Sequence, residues 1–242
     1  MQRTEYGLRF LRKPSMSVLA QEYGPCMSTS ISLTSSSTYI APDGTDTKGL
    51  ISSDFGEEFP NAEVVGTDIS PIQPTWVPPN VRFEIDDANL EWTWKDNTFD
   101  FVHLRCMLGT IIDWTSFYRK AFRCCKPGGW IEHHEESAAW RCEGGEIPEE
   151  SAMGQWEKVF SEGGKKFGRS FRILQDDLQK KGMEEAGFVD IVVRDFKCPI
   201  GTWPQDPRLR ETGAFAKYTL DMDFEGTFSW PHDRTLAYFF NH

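Results

Sequence analysis

From Asp54 onward the chain repeats one arrangement: a short apolar run rich in β-branched residues, then a segment of helical periodicity, then another apolar run. The strand candidates are Glu63 to Asp68 (EVVGTD), Val81 to Asp86 (VRFEID), Phe99 to Arg105 (FDFVHLR), Gly129 to Glu135 (GWIEHHE) and Phe188 to Phe196 (FVDIVVRDF). Runs of this length cannot bury both faces alone, and alternation with helices is the pattern that builds a mostly parallel sheet covered on both sides. The fold class is therefore α/β. WTSFYRKAFRCC is predicted as a helix, stopped by Lys126-Pro127-Gly128-Gly129. SAMGQWEKVFSEGGKKF and FRILQDDLQKKGMEEAG give two more, the latter ending at Gly187.

Residues 1–53 read differently. They are rich in Ser and Thr, lack helical periodicity and offer one short strand-like piece, Thr38 to Ala41, so they are expected to be loosely ordered, with the folded domain spanning 54–242. A chain of 242 residues suffices for one sizeable core. The formal net charge of −11 removes the general attraction to phosphate backbones, and no direct nucleic-acid binding is expected. Arg119, Lys120, Arg123 and Lys126 form a local basic run that reads as a solvated helix face. No apolar run approaches the length of a membrane span, and the six cysteines show neither zinc spacing nor a Cys-x-x-Cys pair. An intracellular protein of nucleus or cytoplasm is expected.

Ligands of open α/β sheets sit beyond the carboxyl ends of the strands, so the chemistry is sought there. Asp68 closes the run VVGTD, where a carboxylate can accept from both hydroxyls of a ribose or cap a turn; it follows Gly44 by 68 − 44 = 24 residues. Of the adjacent Asp86 and Asp87, only one can face a ligand, and Asp87 is preferred, beside the backbone of Ala88; an Asx-type turn is the competing role. His103, Leu104 and Arg105 end the next strand. His103, His133 and Glu135 are candidates for a general base, since an imidazole titrates near neutrality and a carboxylate can orient it. His133 and His134 are neighbours on a strand and point to opposite faces, so no metal site is expected. Trp76, Trp92, Trp94 and Trp140 serve either an aromatic acceptor pocket or the core.

These stretches, FGEEFPNAEVVGTDISPIQPTWVPPNVRFEIDDANLEWTW, NTFDFVHLR, CKPGGWIEHHE, and GFVDIVV followed by PIGTWPQDPRLRETG, resemble a class I S-adenosylmethionine-dependent methyltransferase, more narrowly the fungal LaeA-like group of secondary metabolism. The resemblance covers about two thirds of the chain. It implies a Rossmann-like, seven-stranded sheet and S-adenosyl-L-methionine as cofactor. Asp68 would hold the ribose, Asp87 and Ala88 the adenine, Gly44 the glycine loop, and His103 with Leu104 and Arg105 the methionine end. It also implies a small-molecule acceptor or a regulatory protein partner, and an alternative in which the fold is kept as a catalytically impaired binding module. The sequence departs from the family at both ends. Asp46 and Lys48 interrupt the glycine loop DGTDTKG, and the first strand is missing or improvised from STYIAP; RTLAYFF stands where a last strand belongs. A nicotinamide-dependent oxidoreductase would also use Asp68, but it requires a G-x-G-x-x-G loop that is absent here.

Overall fold

The computed structural model describes residues 3–6, 29–34, 50–69 and 76–222. In chain order the elements are β1 (Arg3–Tyr6), β2 (Thr29–Thr34), α1 (Leu50–Glu58), β3 (Glu63–Asp68), β4 (Val81–Ile85), β5 (Phe99–Arg105), α2 (Trp114–Cys124), β6 (Cys125–His134), β7 (Trp140–Arg141), α3 (Ala152–Lys166), α4 (Leu178–Ala186), β8 (Phe196–Pro199) and α5 (Pro207–Met222). Five parallel strands form the main sheet in the order β4-β3-β2-β5-β6. A second, antiparallel sheet has the order β7-β1-β8.

The centre of the main sheet lies in a part of the chain for which loose order was expected. Thr29–Thr34 pairs with β3 on one edge and β5 on the other, upstream of the expected STYIAP stretch. Residues 35–49, including Thr38 to Ala41, Gly44, Asp46 and Lys48, lie outside the described residues, as does the RTLAYFF segment. The seven strands implied by the family resemblance are five in the main sheet among the described residues.

Alternation across β3 to β6 sends one set of side chains to each face. Val64 and Phe101 pack with Phe55, Ala62 and Val81 on the α1 side. Val65, Val102 and Leu104 pack with Trp92, Phe117 and Tyr118 on the α2 side. Helix α2 forms because Asp113 Oδ1 accepts from Ser116 N at 3.0 Å, while Trp114, Phe117, Tyr118, Ala121 and Cys124 repeat on one face. It runs directly into β6 at Cys125, so Lys126-Pro127-Gly128-Gly129 does not separate the two. That tetrapeptide instead loops out of register with β5, between the pairs Phe99↔Cys125 and Phe101↔Trp130, with Gly128 at φ 80°.

The basic run also turns inward. Lys120 is buried, Arg123 donates to the carbonyls of Trp92 and Trp94, and Lys126 pairs with Asp100 at 2.8 Å; only Arg119 keeps the solvated position expected for all four. The helix expected over FRILQDDLQKKGMEEAG starts late, at Leu178, because Asp177 adopts a left-handed backbone with φ 54°. The strand expected at Phe188 to Phe196 is not formed: Asp190 is left-handed at φ 57°, and Val189 is 80% exposed. Only Phe196–Pro199 is a strand, and it pairs with β1 rather than with the main sheet.

Helices α2 and α4 pack through Gly182, where an added Cβ would meet Tyr118 Cδ2 at 2.6 Å. Gly182→Ala gains about 1 kcal/mol of helix propensity but overpacks a core contact, which costs about 1–3 kcal/mol. The second effect wins, and urea unfolding is expected to show a net loss of up to about 2 kcal/mol.

Candidate functional site

Strand order reverses between β2 and β5, the place where an open α/β sheet leaves a crevice at its carboxyl edge. Asp68 ends β3 on one side of β2, and Leu104 and Arg105 end β5 on the other. Asp68 is only 7% exposed and its carbonyl accepts from Asp86 N at 3.1 Å, which ties the start of the next loop to the strand end. Leu104 is fully buried in the core, so its main chain alone is available to a ligand. Arg105 is half-buried beside Thr34 in register. Gly44 lies outside the described residues.

Asp87 takes the Asx-turn geometry that competed with the ligand role. Its Oδ1 accepts from Asn89 N at 2.9 Å and from Asn89 Nδ2 at 3.0 Å. The turn leaves Oδ2 without a hydrogen bond to any described residue, so the two roles are compatible. The carbonyls of Ala88, Asn89 and Leu90 accept from Lys120 Nζ at 2.8, 3.0 and 2.7 Å, so a buried ammonium fixes the loop after β4. Burial pulls the Lys120 pKa below its ordinary value, although neighbouring carboxylates act in the opposite direction.

The loops after β4 and β5 are stitched together. Asn89 Nδ2 donates to Thr110 O at 3.1 Å, and Asn89 Oδ1 accepts from Ile112 N at 2.9 Å. Arg169 adds bonds to the carbonyls of Gly109 and Thr110 at 3.2 and 2.6 Å. Asn89 and Arg169 were not anticipated from the sequence, and Lys120 was expected on a solvated helix face rather than under this loop. Each sits outside the strand ends, and nothing in residue type alone marks the carbonyls that it serves.

The histidine-rich end of β6 divides between the two faces, as alternation requires. On the α2 face, Tyr118 Oη lies 2.7 Å from His133 Nδ1, and His133 Nε2 lies 3.3 Å from Glu135 Oε2. The His133 ring stacks on Trp114 at 5.0 Å. Glu135 accepts from Met107 N at 2.8 Å and from Glu136 N at 3.0 Å. Burial pushes the Glu135 pKa up to about 8, against the pull of those two amides. His133 and Glu135, read as base candidates, therefore brace the loop after β5 from inside the core.

On the α1 face, His103 Nδ1 lies 3.0 Å from Glu132 Oε2, and His134 Nε2 lies 3.2 Å from Glu132 Oε1. Burial would raise the Glu132 pKa, but the contacts with His103 and His134 prevail and hold it well below the usual carboxylate range. Burial also lowers His134 to about 4, against the pull of Glu132, so its ring is neutral at neutral pH. His133 and His134 diverge to opposite faces, and a second imidazole, His103, arrives from β5 on the His134 side. The tryptophans form no common pocket: Trp92 and Trp94 pack in or against the core, Trp140 meets Trp156, and Trp76 is exposed.

The donor set at the rim fits a ribose-bearing cofactor: Asp68 ends β3 and Asp87 lies two residues past the end of β4, and both carboxylates can accept from hydroxyl and amine hydrogens. Comparison with known proteins bears on family and fold. The Methyltransferase domain family matches residues 44–191. Methyltransferase pytC of Aspergillus terreus is 38% identical over 175 residues, which cover 72% of this chain and 53% of the relative. Secondary metabolism regulator LAE1 of Cochliobolus heterostrophus is 32% identical, covering 73% of this chain and 58% of the relative. The chain thus spans a little over half the length of these curated relatives. Among solved structures, a phosphoethanolamine N-methyltransferase 2 from Haemonchus contortus superposes with a TM-score of 0.51 at 18% identity, covering 90% of this chain and 44% of that one. A putative sarcosine dimethylglycine methyltransferase from Galdieria sulphuraria gives 0.51 at 15% identity, covering 87% of this chain and 69% of that one. The two superpositions speak for the fold, a Rossmann-like α/β arrangement, while the family match spans more than half of the chain; together with the strand reversal and the acidic rim, they lead to one conclusion: this chain belongs to the methyltransferase-domain family.

Proposed function

We propose that the chain binds S-adenosyl-L-methionine across the β2/β5 crevice and acts as a methyltransferase in fungal secondary metabolism. Its acceptor would be a small molecule. The observation that carries this reading is Asp68, a buried carboxylate at the carboxyl end of β3, next to a loop that three Lys120 bonds and the Asp87 turn hold in place.

Asp68 accepts the ribose hydroxyls, Asp87 Oδ2 accepts from the adenine amine, and the main chain at Leu104 and Arg105 lines the methionine end. When bound, the cofactor supplies an electrophilic methyl group. The protein contributes orientation and exclusion of water, which suffices for an acceptor that is already nucleophilic. None of His103, His133 and Glu135 is needed as a base in this reading. His133 and Glu135 are committed to the Met107 loop, and His103 to Glu132.

A regulatory role through a protein partner is the second reading, favoured by similarity to a named regulator. Isothermal titration with S-adenosyl-L-methionine and S-adenosylhomocysteine separates the two. Micromolar affinity is expected, and Asp68→Ala should weaken it about 100-fold, since hydrogen bonds to a charged group contribute about 1.5–3 kcal/mol. A folded wild-type protein that binds neither ligand would leave only the binding-module reading.

A further inference from the structure

His103, Glu132 and His134 are brought to one buried spot on the α1 face of the sheet. β5 and β6 are parallel neighbours with His103 opposite Glu132 and Arg105 opposite His134, so residues 103, 132 and 134 share a face. One donor atom from each lies within 4.8 Å of the other two. We propose that this triad is a binding site for a late first-row divalent cation, with Zn2+ as the reference occupant.

The donor chemistry selects the class. Two imidazoles and one carboxylate suit Zn2+ and its neighbours, whereas Mg2+ and Ca2+ favour all-oxygen sets. Three protein ligands also leave one position open for water or an exogenous ligand. All three side chains come from two hydrogen-bonded strands, so their spacing is fixed by the sheet rather than by loops. A second observation points the same way. His103 Nε2 is fully buried and has no hydrogen-bond partner among the described residues, although its ring touches Phe101 and His134. A buried polar nitrogen without a partner is costly. With His103 Nδ1 already 3.0 Å from Glu132, a ring turned about its Cβ–Cγ bond would present either nitrogen to a cation. Arg105 adds positive potential at His134, which limits affinity and favours an anionic ligand at the open position.

The test uses chelator-stripped full-length protein and Co2+ as a spectroscopic probe, followed by displacement with Zn2+. One equivalent of Co2+ should bind, with the visible absorption of a low-coordinate site. His134→Gln should weaken binding more than about tenfold with an unchanged far-ultraviolet circular dichroism spectrum. Should that variant fail to fold, X-ray absorption of the Zn2+-loaded wild type decides, and a shell containing two imidazoles is expected. Absence of stoichiometric uptake, uptake undiminished in the folded variant, or a shell without two imidazoles would each overturn the site and leave a metal-free His103–Glu132 pair with His134 beside it.

Discussion

Glu135→Gln is expected to make the protein more stable than the wild type in alkaline solution and slightly less stable in acid. Burial raises the Glu135 pKa from 4.5 to about 8. A carboxyl raised on folding contributes stability that is full below its unfolded pKa and is lost as pH climbs through the folded one. Wild-type stability should therefore fall between roughly pH 4.5 and 8 on this account, at up to about 1.4 kcal/mol per unit. Glutamine is neutral throughout. It keeps one acceptor for the amides of Met107 and Glu136 and loses the other, a deficit of about 1 kcal/mol at pH 5. By pH 9 the comparison reverses, with the variant ahead by a few kcal/mol. Urea unfolding at pH 5, 7 and 9 measures the crossing, and parallel pH curves for the two proteins would show that Glu135 carries no such penalty.

Lys120→Met should cost about 3 kcal/mol of stability and weaken cofactor binding about tenfold. Methionine replaces much of the buried stem but leaves the carbonyls of Ala88, Asn89 and Leu90 without their shared donor. Because that loop carries Asp87, its relaxation moves the acceptor proposed for the adenine amine while Asp68, on β3, stays in place. Chemical denaturation reads the first effect and calorimetry the second. A destabilised variant with unaltered affinity would show that the clamp serves folding alone.

Much of the architecture was legible because it rests on periodicity. The runs ending in Asp68, Ile85, Arg105 and His134 are strands, and each ends within one residue of its expected terminus. What failed were elements decided by a partner or by a single backbone angle. Phe188 to Phe196 has the composition of a strand, but Asp190 breaks its extension and the segment finds no neighbour in the main sheet among the described residues. Thr29–Thr34 has the opposite character: its alternation of Ser or Thr with Ile and Leu signals little locally, and its place between β3 and β5 makes it a strand. The candidate site divided similarly. Strand-end carboxylates announce themselves through position, whereas the amide and ammonium groups that serve main-chain carbonyls become visible only when the loops meet.

The bridge from Asn89 to Thr110 and Ile112 ties the two sides of the crevice into one unit. A ligand that touches these two loops has little of them to immobilise, so less of that contact energy is spent on ordering them. The share of the heat-capacity change that these two loops contribute should then report surface burial, without the larger signature of coupled folding. The same rigidity limits adaptation: a bulkier guest must be accommodated by changing side chains, because the two loops cannot yield independently.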